Sequence, residues 1–199
     1  MSDAAPLNFH PTLAPEELAR ANFYGLLARL FYAPPDAALL EAIAADKLDG
    51  ELGVPWEDLA DAARKADPEA VREEYETAFI GTGKAPVTLY TTAYAIRYSS
   101  ETPLAELRGE LARLGLARRE KAREPEDHIA ALCDVMRHLV AKQQYGLEEQ
   151  SRFFSRWIQP IADPLCGAIE RAEKTDFYKH VARFAKAFLT LEQVAFEML

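Results

Sequence analysis

Residues 177–198 read FYKHVARFAKAFLTLEQVAFEM. Phe177, Val181, Phe184, Phe188, Leu191, Ala195 and Met198 follow one another at steps of four and three residues. That is the spacing of one face of an α-helix, whose period is about 3.6 residues. The same rhythm recurs towards the N-terminus. Residues 146–161 carry Leu147, Phe154, Trp157, Ile158 and Ile161 on a stripe. Residues 125–142 place Ile129, Leu132, Cys133, Met136, Leu139 and Val140 on one side. Residues 16–33 hold Phe23, Tyr24, Leu26, Leu27, Leu30, Phe31 and Tyr32, apolar nearly all round, which predicts a central buried helix stopped by Pro34 and Pro35. No comparable segment alternates with a period of two. The fold class expected is all-α.

Proline marks where the helices begin. Pro15, Pro55, Pro68, Pro103, Pro125 and Pro164 stand at expected first turns, where the missing N–H has no partner to lose. Asp67, Thr102 and Asp163 precede three of them as N-caps. Acids follow in Pro15-Glu16-Glu17 and Pro125-Glu126-Asp127, which suits the positive end of a helix dipole.

One stretch breaks the helical pattern, residues 80–102. Gly81, Gly83 and Pro86 make it a loop, and Tyr90, Thr91, Thr92 and Tyr94 follow. The run Gly81-Thr82-Gly83-Lys84 is not a phosphate loop. Such a loop needs an earlier glycine where Ala78 stands and a hydroxyl residue where Ala85 stands. Tyr75 and Phe79, four apart, share a helix face beside this loop. They read either as core or as the wall of an apolar groove for a peptide. Glu124, Asp127 and His128 open the helix after Pro125. They read either as a helix start with acids on the dipole, or as a recognition site in which Asp127 accepts an arginine guanidinium and His128 orients it or acts as a donor. Asp134 and His138 are expected to pair across one turn on the wet face.

The chain has 199 residues and a formal net charge of -9, with 49% apolar and 28% charged residues. This is ordinary for one globular domain. An acidic surface excludes phosphate-backbone recognition and favours a basic partner. Two isolated cysteines, Cys133 and Cys166, lack metal-ligand spacing and read as buried thiols in a reducing compartment. Met1–Pro15 has neither a basic nor an apolar segment of a signal peptide. No apolar run is long enough to span a membrane. Residues 1–14 are expected as a flexible arm and 15–199 as one helical domain.

These residues carry a resemblance. Tyr75-x-x-x-Phe79-x-Gly81-x-Gly83, then Tyr90-x-x-x-Tyr94, is similar to one signature of the TorD/DmsD redox-enzyme maturation chaperones, relatives of the NarJ type. Glu124-Pro125-x-Asp127-His128-Ile129-Ala130, closing with Met136, resembles a second. The resemblance extends over roughly residues 16–195. It implies a single bundle of about ten helices and no catalysis. It implies a cytoplasmic chaperone that binds the twin-arginine signal peptide of a molybdopterin enzyme in its apo-form. The molybdenum cofactor would belong to that client, and the chaperone itself would hold no cofactor or metal. On the resemblance, Tyr75, Phe79, Gly81, Gly83, Tyr90 and Tyr94 line a peptide groove. Glu124, Asp127 and His128 form its polar end. A monomer or a domain-swapped dimer is implied, with a hinge at 100–124. The alternative is a general helical interaction module that ignores the arginine pair.

Overall fold

The computed structural model describes residues 13–81, 85–94, 103–118, 124–142 and 144–199. Nine α-helices are present among them: α1 Pro15–Tyr32, α2 Ala37–Ala45, α3 Gly53–Lys65, α4 Pro68–Tyr75, α5 Pro103–Arg113, α6 Ile129–Ala141, α7 Leu147–Trp157, α8 Gln159–Arg171 and α9 Phe177–Glu197. The all-α expectation holds. The described residues contain no strand, only an isolated antiparallel bridge between Tyr90 and His128. Of the expected arm at 1–14, all but the last two residues lie outside the described residues. No described helix is long and apolar enough to cross a membrane.

The helix at 177–198 is the hub of the bundle. It packs on α3, α8, α1, α4 and α7. Phe184 and Phe188 meet Phe23 of α1 edge-on, each at 5.4 Å between ring centroids. The predicted central role of α1 needs correcting. Tyr24, Leu27, Leu30 and Phe31 are buried, but Asn22, Arg29 and Tyr32 of the same helix are exposed. Helix α1 presses one face on α6 and α9 and leaves another open.

Proline rules hold at four of the six sites. Pro15, Pro68 and Pro103 each begin a helix, and Asp67 caps α4 by accepting the N–H of Ala70 at 3.2 Å. Pro55 lies in the first turn of α3. Pro164 lies inside α8 instead. Pro125 starts nothing: α6 begins four residues later, with His128 as N-cap. The expected hinge region is also partly helical, since α5 occupies 103–113.

The end of α1 shows how prolines reach across the fold. In a continuing helix the carbonyls of Leu30 and Phe31 would accept N–H groups from residues 34 and 35. Both of those are proline and have none. The hydroxyl of Tyr178 donates to the Leu30 carbonyl at 2.9 Å, and that of Tyr75 to the Phe31 carbonyl at 3.0 Å. Two tyrosines distant in sequence supply the donors that the prolines withhold.

Helix α9 is capped from outside as well. Its own N-cap, Asp176, makes no side-chain cap. The Glu74 carboxylate of α4 instead accepts the N–H groups of Asp176, Phe177 and Tyr178 at 2.9, 3.0 and 2.7 Å. A carboxylate at a helix N-terminus gains from both the orphan donors and the dipole. Replacing Glu74 by alanine should cost about 1–2 kcal/mol, read as a lower urea midpoint with an unchanged slope.

Candidate functional site

The loop after α4 is built around a change of helical period. Residues Glu76–Ile80 form a π-turn, closed by the N–H of Gly81 on the Glu76 carbonyl at 2.7 Å. Such turns recur at functional sites. Gly81 leaves the helix at φ +61°, where a side chain would be strained. The N–H of Val87 returns to the Ala78 carbonyl at 3.0 Å, closing the loop on itself. Gly83 lies outside the described residues.

Residues 89–91 and 127–129 form a clasp around the extended pair Tyr90 and His128. The N–H of Ile129 donates to the Leu89 carbonyl at 2.9 Å, and that of Thr91 to the Asp127 carbonyl at 2.8 Å. The Thr91 hydroxyl reaches the same carbonyl at 2.9 Å. The Thr92 hydroxyl donates to the Asp127 carboxylate at 2.5 Å. Asp127 is only 4% exposed. Its carboxylate therefore serves the clasp in this state and does not face an incoming guanidinium. This clasp is also why α6 starts late. Backbone groups that a helix from Pro125 would use are bonded to the 89–91 segment.

His128 is equally buried. Its Nδ1 accepts the N–H of Ala130 at 3.2 Å, capping α6. Burial pulls its pKa below the ordinary value, against the opposite pull of Glu124 and Asp127. A neutral ring with Nδ1 as acceptor carries its proton on Nε2. Tyr90 stands edge-on to this ring at 5.4 Å and is 39% exposed. Its hydroxyl donates to Glu124 at 2.6 Å, and that bond holds the phenol up at about 12. Tyr94 is half-buried, its hydroxyl on the Thr88 carbonyl at 3.0 Å.

Tyr75 and Phe79 lie in the core, 5% and 9% exposed. They pack edge-on to each other at 5.2 Å, and Phe79 meets Tyr178 at 4.9 Å. Burial holds the Tyr75 hydroxyl at about 12. The expected open cleft lined by these two rings is not what the chain forms. The open space lies alongside, and the helix periodicity did not single it out.

A groove of about 890 Å³ runs between α1, α6, the end of α5 and the segment 124–128. Its α1 wall carries Ala21, Gly25, Ala28 and Tyr32, one helix stripe at steps of three and four. Its α6 wall carries Ala130, Ala131 and Val135. The small side chains on both walls leave the room, a pattern visible in the sequence once those spacings are counted. Three acids and three arginines line it: Glu124, Glu126, Asp134, Arg29, Arg118 and Arg137. Glu126 is taken by Arg108 at 3.0 Å. Asp134 pairs with Arg137 at 2.7 Å, not with His138 as expected. Arg118 is engaged too. Glu124 accepts from Tyr90 but has no cation partner among the described residues. No described group of three metal-ligating residues exists, and both cysteines are buried and unpaired.

Comparison with known proteins adds two findings. The family model described as nitrate reductase delta subunit matches residues 45–190. A crystal structure described as a candidate redox enzyme maturation protein from Archaeoglobus fulgidus is similar in fold, with a TM-score of 0.54. It is 20% identical over 94% of this chain and 98% of that one. No curated protein matches the sequence.

Proposed function

Since the chain belongs to the nitrate reductase delta subunit family, a family of maturation chaperones for molybdoenzymes, we propose that it acts in the cytoplasm on one molybdopterin-dependent oxidoreductase of the DMSO-reductase superfamily. It binds the twin-arginine signal peptide of that enzyme's apo-form and delays export until the cofactor is inserted. It catalyses no reaction, and the molybdenum cofactor is the client's.

The observation that carries this reading is Glu124, a carboxylate that lines an open groove and has no counter-cation among the described residues. Tyr90 occupies one side of it and orients the rest. An arginine N–H donated to such a carboxylate makes a charge-assisted bond, worth about 1.5–3 kcal/mol. The apolar part of the leader then has Tyr32, Ala28, Ala131 and Val135 to lie on. A net charge of -9 speeds the encounter with a basic segment.

Titrating the full chain with a fluorescent twin-arginine peptide tests this. Glu124→Gln should weaken binding by roughly tenfold and flatten its salt dependence. Wild-type affinity in that variant would remove Glu124 as the acceptor. The family match favours one second reading, in which the recognised segment needs no arginine pair. Replacing both arginines by lysine separates the two. The first reading expects a loss, because lysine cannot reproduce guanidinium geometry. The second expects none.

A further inference from the structure

Glu126 lines the groove two residues after Glu124, but its carboxylate is already held. Arg108 of α5 donates Nε to Oε1 at 3.1 Å and Nη2 to Oε2 at 3.0 Å. One guanidinium thereby meets both carboxylate oxygens, the two-point geometry that arginine brings to an acid. Arg108 does not itself line the groove. It draws the Glu126 carboxylate towards α5. The groove wall thus carries two acids close together in the chain. Glu124 has no counter-cation among the described residues, and Glu126 has one supplied by the protein.

The internal pair is built to be exchanged. The Arg108 side chain is 53% exposed, against 13% for Glu126. The cation can swing into water while the acid stays at the wall. An ion pair with one partner so exposed is weak, because solvent screens it and two long side chains are immobilised by it. The swing needs no movement of α5. That helix stays anchored through Glu110 on the Trp157 indole at 2.7 Å and Glu106 on Arg156 at 2.5 Å. The spacing also suits a pair of cations. Residues two apart have Cα atoms within about 7 Å, and consecutive residues of a peptide stand about 3.8 Å apart. The long arms of two neighbouring arginines can span that difference.

We propose that Glu126 is the second arginine acceptor of the groove, and that Arg108 is its internal stand-in, displaced when a client arginine arrives. The inference rests on the groove being the client-binding site. Because one guanidinium replaces another, Glu126 is not left without a cation. A lone arginine is served by Glu124 and gains nothing from the exchange. An arginine pair uses both acids, so the wall favours two arginines over one.

Titrating the full chain with two synthetic peptides tests this. One carries an arginine pair before an apolar stretch, and in the other the second arginine is glutamine. Arg108→Ala should tighten the paired peptide by roughly threefold to fivefold, the worth of an exposed ion pair that no longer has to be broken. The single-arginine peptide should gain nothing. Glu126→Gln should cancel the gain, and Arg113→Ala, which removes the same charge from the same helix, should not reproduce it. Helicity should be unchanged in all three variants. Unchanged or weaker binding of the paired peptide by Arg108→Ala overturns the inference and leaves the groove as a binding site. So does a gain that survives Glu126→Gln or that Arg113→Ala matches, since net charge alone would then explain it. Binding of neither peptide to wild type removes the groove reading and this inference with it.

Discussion

Arg20→Ala should lower the stability of the chain by about 3 kcal/mol and its melting temperature by roughly 6–12 °C. Arg20 of α1 holds Glu192 of α9 through two bonds, Nε to Oε1 at 2.6 Å and Nη2 to Oε2 at 2.9 Å. The Tyr24 hydroxyl adds a third donor at 2.9 Å. Glu192 is buried, so removing the guanidinium leaves an ionised carboxylate in an apolar seam with one neutral donor. The loss reflects that stranded charge more than the worth of the pair itself. Removing both partners, as in Arg20→Met with Glu192→Leu, should therefore cost less than Arg20→Ala alone. Thermal and urea unfolding followed by circular dichroism measure it. A single variant within 1 kcal/mol of wild type would mean that water reaches Glu192 once Arg20 is gone.

Ala131→Trp should weaken peptide binding by more than a hundredfold and leave folding intact. Ala131 is only partly buried, and it forms part of the α6 wall of the groove. Its neighbours across the space are small residues of α1, so an indole there fills the volume the ligand needs. Tryptophan is tolerated in helices at a cost of well under 1 kcal/mol. The melting temperature should move little, and Ala131→Ser should bind like wild type. If Ala131→Trp keeps its affinity, the peptide binds elsewhere on the bundle.

The helices were legible wherever local pattern alone decided them. Helix α9 begins at Phe177 as its spacing required, and Pro15, Pro68 and Pro103 marked true starts. Legibility failed where distant backbone intervened. Pro125 has every local mark of a helix start, yet Leu89 and Thr91 claim the backbone of the residues that follow it. The site was legible in part for a similar reason. Tyr75 and Phe79 could be placed on one face, but not assigned to the core, because Tyr178 lies about a hundred residues away. Nor could the need of the Phe31 carbonyl for a hydroxyl be seen without the turn that brings Tyr75 to it. Asp127 looked like a free acid because its partner Thr92 lies 35 residues away. Glu124, five residues before α6, was marked with the others and is the one left without a cation among the described residues.

The three amides gathered by Glu74 set an order of events during synthesis. The receiving carboxylate leaves the ribosome about a hundred residues ahead of the turn it caps. At typical translation speeds that is a wait of about 5–20 s. Because Glu74 is only partly buried, water can satisfy it meanwhile. Helix α9 thus meets a cap that was made well before it, on a helix distant in sequence.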